Sequence, residues 1–192
     1  MKIRLLLISI LTLISCKDNR TSEQIISDAN SQINKSEYQN ALTDLKKLID
    51  NGIETTEVFQ LKGISENGLN KNSKSLLSFQ KSIELDNKNY ISYVERANLK
   101  IKLGDYRGAI EDCNNAMLIQ RDYAKTYKTK AIAYELLEDE PNSIIQYQAA
   151  IKYGDNSGEN NYKLGVLFLN KGDLKKGCDY LSKADEKGYL DE

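Results

Sequence analysis

The sequence predicts an all-α fold, a solenoid of tandem helix-turn-helix repeats. Three observations carry that expectation. Look-alike residues recur at a spacing of 34, apolar residues inside each unit follow the helical period, and no segment alternates with the period of two that marks a strand. At 192 residues, 40% of them hydrophobic and 29% charged, the chain can bury a sizeable core and is too apolar for a disordered one.

The first element is the amino terminus. Lys2 and Arg4 precede a run, residues 5–14, that is apolar except for Ser9 and Thr12, and Ser15-Cys16 follows before the polar Lys17-Asp18-Asn19-Arg20. This is the layout of a secretory signal peptide over residues 1–15. A helix over residues 5–15 would be only about 16 Å long, against roughly 30 Å of hydrocarbon, too short to span a bilayer. Leu13-Ile14-Ser15-Cys16 resembles a bacterial lipobox, which implies cleavage before Cys16 and a diacylglycerol anchor on its thiol. Two or three acyl chains, at about 0.8 kcal/mol per buried methylene, give stable attachment. Residues 16–21 then form a short tether, reaching at most about 18 Å.

The repeats come next. Leu103-Gly104-Asp105-Tyr106, Leu137-Glu138-Asp139-Glu140 and Lys171-Gly172-Asp173-Leu174 are successive copies 34 residues apart, and stepping backwards gives five units at 22–55, 56–89, 90–123, 124–157 and 158–191. The eighth residue of each is Ala29, Gly63, Ala97, Ala131 or Gly165, and the twentieth is Ala41, Ser75, Ala109, Ser143 or Gly177. Small residues at matched points on two helices let their backbones approach closely. Larger packers stand between them: Ile25, Phe59, Tyr93 and Tyr127 in the fourth column, and Leu45, Phe79, Cys113, Tyr147 and Leu181 in the twenty-fourth. Gly104 and Gly172 end one helix, and Asp105, Asp139 and Asp173 cap the next. Pro141, the only proline, falls in a first helical turn, where its missing N–H is harmless.

A 34-residue helix-turn-helix with small residues at these columns resembles the tetratricopeptide repeat, over residues 22–191. The resemblance implies a right-handed superhelical solenoid with an inner groove lined by the first helix of each unit, and a role in binding proteins. The family's proline near the end of a unit is absent, since Ile53, Asn87, Arg121, Asp155 and Tyr189 stand there. The twenty-eighth column runs Ile49, Ile83, Met117, Ile151 and then Asp185. A polar residue there predicts that the final helix closes the stack, with no sixth unit to follow.

On the first helices, the fourth, eighth and eleventh residues form the core stripe, and the second, fifth, ninth and twelfth lie on another face. That face is expected to line the groove with Ile26, Ile33, Ile64, Ile91, Val94, Ile101, Ile132, Tyr162, Val166 and Leu169, interrupted by Asn98, Lys125, Lys128 and other polar residues such as Glu135. It reads either as a channel for an extended segment or helix of a partner protein, or as packing against the adjacent unit. The basic and asparagine clamp with which some family members grip a peptide carboxylate is not reproduced: Gln60, Ile64, Glu95, Lys125 and Thr129 stand in its place.

Composition narrows the chemistry. No histidine is present, which removes the commonest general base and metal ligand. A formal charge of −1 offers no field for a nucleic-acid backbone. No catalytic residues, metal, cofactor or small-molecule substrate are expected. Cys113 and Cys178 are expected to be small core residues, too far apart for a disulfide. The sequence therefore predicts a non-catalytic, lipid-anchored scaffold or adaptor of the bacterial cell envelope, with outer-membrane sorting suggested by Lys17 after the cysteine. A cytosolic adaptor with an unprocessed amino terminus and a subunit of an envelope enzyme complex are the alternatives.

Overall fold

The computed structural model describes residues 19–190. The signal sequence and the lipidated Cys16 expected from the sequence lie outside the described residues. Within them are ten α-helices: α1 (Ser22–Asn34), α2 (Tyr38–Asp50), α3 (Thr56–Gly68), α4 (Asn72–Leu85), α5 (Tyr90–Lys102), α6 (Tyr106–Ile119), α7 (Ala124–Leu136), α8 (Glu140–Lys152), α9 (Gly158–Asn170) and α10 (Leu174–Asp185). No strand occurs among the described residues, so the fold is the expected all-α solenoid. None of these helices is long and apolar enough to cross a membrane.

The helices start where the chain can satisfy their free N–H groups. The residue before each first helix is Thr21, Thr55, Asn89, Tyr123 or Ser157, and all but Tyr123 accept a backbone N–H on the side-chain oxygen. Thr21 and Gln24 cap each other reciprocally. Ahead of the second helices, Asp105, Asp139 and Asp173 cap as expected, taking the N–H of Gly108, Asn142 and Lys176. Glu37 and Lys71 hold the same place without a side-chain cap.

The turn inside each unit is the same five times. In the third unit the Gly104 N–H reaches the Ile101 carbonyl at 3.0 Å and the Asp105 N–H reaches that of Lys100 at 2.9 Å, the paired bonds of a Schellman cap. The cap needs one left-handed residue, and Gly104 (φ 82°) and Gly172 (φ 81°) supply it freely. Ser36, Asn70 and Glu138 take that conformation too, at φ 61°, 57° and 59°, so the hydrogen bonds and packing of the unit hold side-chain-bearing residues where glycine would sit unstrained.

Both small columns lie at the helix crossings and are buried throughout. The reason is spatial: a Cβ on Gly63 would sit 2.7 Å from the Phe79 ring, and one on Gly165 would sit 2.7 Å from Leu181 Cγ. Where the twentieth residue is serine, its hydroxyl donates across the crossing, Ser75 to the Gly63 carbonyl at 2.7 Å and Ser143 to that of Ala131 at 3.1 Å. Around these points Leu45, Phe79, Cys113 and Tyr147 fill the core.

Consecutive helices pack as antiparallel pairs, and each pair packs on the next. First helices also touch first helices, α1 on α3, α3 on α5 and α5 on α7, whereas second helices of successive units make no comparable contact. First helices therefore line the inner, concave side and second helices fan out on the convex one.

Two expectations about packing are corrected. Cys113 is buried but Cys178 is exposed, and both are free thiols. In the preceding unit the matching residue, Ile144, is buried beside Leu164 and Leu167 of the following helix α9. Cys178 has no such following helix among the described residues. The eleventh column, expected to be part of an apolar stripe, is buried or half-buried but holds Gln32, Glu66 and Lys100. These meet polar residues twelve positions on: Gln32 donates to Asp44 at 3.1 Å, Ser78 donates to Glu66 at 2.6 Å, and Lys100 pairs with Asp112 at 2.9 Å. Arg96 closes the third set, with Nη2 2.6 Å from Asp112.

Candidate functional site

The aliphatic residues of the face expected to line the groove are shared with the core. Ile26, Ile33 and Ile64 are half-buried against the cluster built on Ile25, Leu45 and Leu61. Ile101 leans on the cluster around Ala97 and Ala109, and Ile132 on that around Tyr147 and Phe168. Ile91, Tyr162, Val166 and Leu169 are likewise half-buried. Val94 is a correction: it is 0% exposed, and nothing of it is left for a partner to touch. A helix in a stack buries more than one face, and Val94 lies wholly on the buried side.

The polar residues of the face tie unit to unit. Lys125 reaches Glu95 at 2.5 Å, Lys128 reaches Glu159 at 2.5 Å, and Lys163 reaches Glu135 at 2.7 Å. The Thr129 hydroxyl donates to Asn98 Oδ1 at 2.9 Å. Burial works to lower the Lys125 ammonium, yet the Glu95 carboxylate outweighs it and its pKa stands raised. Lys125, Lys128 and Asn98 therefore serve first as inter-unit struts, which spacing within one helix could not reveal.

The groove opens into a cleft of about 560 Å³ between the end of α7, the α7–α8 turn and α9. Tyr162, Val166 and Leu167 form one wall, and Glu135, Glu138 and Glu140 line the other side. The groove reading named Tyr162 and Val166; it missed Glu138 and Glu140, which belong to the turn and first turn of the second helix and not to the first-helix face. Tyr147, behind this wall, donates its hydroxyl to Glu135 at 2.7 Å. Burial, reinforced by that bond, raises its pKa and keeps it a donor. At the other end of the inner side, Ile26 and Asn30 lie in a shallower cleft of about 320 Å³ with Glu23 and Glu57 on it. A third cleft, between α2, α3 and the start of α4, has Lys46, Lys62, Lys71 and Lys74 around it. Among the described residues no group of His, Cys, Asp or Glu is arranged to hold a metal ion.

The fold agrees with that of known proteins to which the chain is similar. It is 27% identical over 114 residues to tetratricopeptide repeat protein 6 of Homo sapiens, a match covering 59% of this chain and 22% of that protein. It is 28% identical over 118 residues to the TPR repeat-containing protein MJ1428 of Methanocaldococcus jannaschii, covering 62% of this chain and 20% of that one. The chain thus spans about a fifth of the length of either relative. No protein-family profile matches it. Among solved structures, MamA from Desulfovibrio magneticus RS-1 superposes with a TM-score of 0.74 at 17% identity, over 86% of this chain and 94% of that one. TTC0263, a thermophilic TPR protein of Thermus thermophilus, gives 0.73 at 16% identity, over 87% and 91%. The chain has the fold of tetratricopeptide-repeat proteins.

Proposed function

We propose that this chain is a non-catalytic scaffold of the bacterial cell envelope, anchored by lipid on Cys16, that holds an extended or helical segment of a partner protein in its concave groove. Proteins of this repeat class generally mediate protein–protein contacts. The observation that carries the binding half is the inner face itself. Half-exposed Ile91, Tyr162, Val166 and Leu169 alternate there with charged struts, a surface that buries an amphipathic segment along several units. The anchoring half is supported by the basic, then apolar, then Ser15-Cys16 order of residues 1–16.

Each half has its own test. Cys16→Ala should move the protein from the membrane fraction to the soluble one and abolish the mass increment of the lipid; unchanged partitioning would remove the anchor. For the groove, Ile91→Glu and Tyr162→Glu should abolish in-cell crosslinking to partner proteins while helical content stays intact. Capture indifferent to both substitutions would show that the groove is the wrong surface.

A further inference from the structure

The cleft at the end of the groove has two unlike sides, and together they specify a side chain. Glu135 is engaged within the protein, accepting the Tyr147 hydroxyl and the Lys163 ammonium, each at 2.7 Å. Glu138 and Glu140 also line the cleft, and neither makes an ion pair or a side-chain hydrogen bond among the described residues. Among the described residues, Lys163 is the only cation lining the cleft. Three carboxylates against one ammonium leave an excess of two negative charges, facing a wall of Tyr162, Val166 and Leu167.

We infer that this cleft receives one arginine or lysine side chain of the partner segment, with its hydrocarbon stem on Tyr162, Val166 and Leu167 and its cationic head at Glu138 and Glu140. The assignment rests on the reading that the groove binds a protein segment, and adds which residue that segment must carry. Arginine and lysine are the side chains that cover apolar surface with their stems while presenting a charge at the tip. A wholly apolar side chain would strip water from two unpaired carboxylates with no return, and an acidic one would be repelled. The tyrosine ring adds a face that attracts cations.

The test uses the full chain, isotope-labelled for NMR, and a capped hexapeptide carrying one central arginine between leucines. Its twin replaces arginine by citrulline, which keeps the shape and removes the charge. Saturable shifts centred on the amides of Glu138, Glu140, Tyr162 and Val166 are expected, with the twin about two- to fivefold weaker. Glu138→Gln/Glu140→Gln should weaken the arginine peptide by the same factor while leaving the amide spectrum of the other units in place. Equal binding of the twin within the groove overturns the cationic assignment but leaves the scaffold reading standing. Shifts centred elsewhere, no saturable shift, or equally tight binding of spermidine, a cation without a peptide, also overturns it. Failure of the scaffold reading is read separately, from the crosslinking of the Ile91→Glu and Tyr162→Glu variants.

Discussion

Asp44 ties the chain preceding α1 to the first helix pair, and replacing it with asparagine should destabilise that pair in a way that disappears in acid. Arg20 grips Asp44 with both terminal nitrogens, at 3.0 and 2.8 Å, and its Nη1 also reaches Asp28 at 2.6 Å. Gln32 and Lys47 add bonds to Asp44 at 3.1 and 3.0 Å. The Arg20 hydrogen bonds, against the cost of burial, hold the Asp44 carboxyl at about 2 instead of the usual 3.8. At about 1.4 kcal/mol per pH unit, that gap is worth on the order of 2 kcal/mol. Because the folded value is depressed, the contribution is complete above the unfolded value and is lost as the pH falls through the folded one. Asp44→Asn should therefore cost about 2 kcal/mol near neutrality and less than about 0.5 kcal/mol at about pH 2. The assay is hydrogen exchange of the α1 and α2 amides, since a repeat array opens unit by unit and one global midpoint would blur the effect. A variant as protected as the parent at neutral pH, or a deficit that persists unchanged into acid, would refute the reasoning.

Three further outcomes are expected. Gly63→Ala places a methyl 2.7 Å from the Phe79 ring and should destabilise the second unit by about 1–3 kcal/mol, read by hydrogen exchange of the α3 and α4 amides. Glu138→Gly releases a left-handed residue that bears a side chain and should stabilise the fourth unit by about 1 kcal/mol, read as slower hydrogen exchange of the α7 and α8 amides, while lowering affinity for the arginine peptide. Cys178 is exposed, whereas Cys113 is buried and its thiol is pushed up to about 12, chiefly by burial. Mass mapping after maleimide treatment of the native protein should find the label on Cys178 and none on Cys113 until urea is added.

The features legible in the sequence were those that one column of one helix can display. Small residues at the eighth and twentieth places mark the crossings, and Asp105, Asp139 and Asp173 announce helix starts, because each acts within a few residues of itself. The turn was visible at Gly104 and Gly172, but Ser36, Asn70 and Glu138 enter the same conformation under the control of their neighbours, which composition does not disclose. The polar seam was missed because its halves lie on different helices. Its mark in the sequence is complementary residues twelve apart, such as Lys100 with Asp112. Val94 and Cys178 depart from the expectation in opposite directions: the first is wholly buried, and the second is exposed with no following helix among the described residues. The cleft was half legible, since Tyr162 and Val166 belong to the expected face while Glu138 and Glu140 come from the turn beside it.

The grip of Arg20 also decides how the array bears load. Tension reaching Arg20 along the chain is shared between the backbone entering α1 and the side-chain bonds to Asp28 on α1 and Asp44 on α2. Bonds strained in parallel must yield together, whereas a helix pulled from its tip gives way one turn at a time. A protein hauled by its leading end would thus keep its first hairpin shut under forces that would unzip an unclamped one.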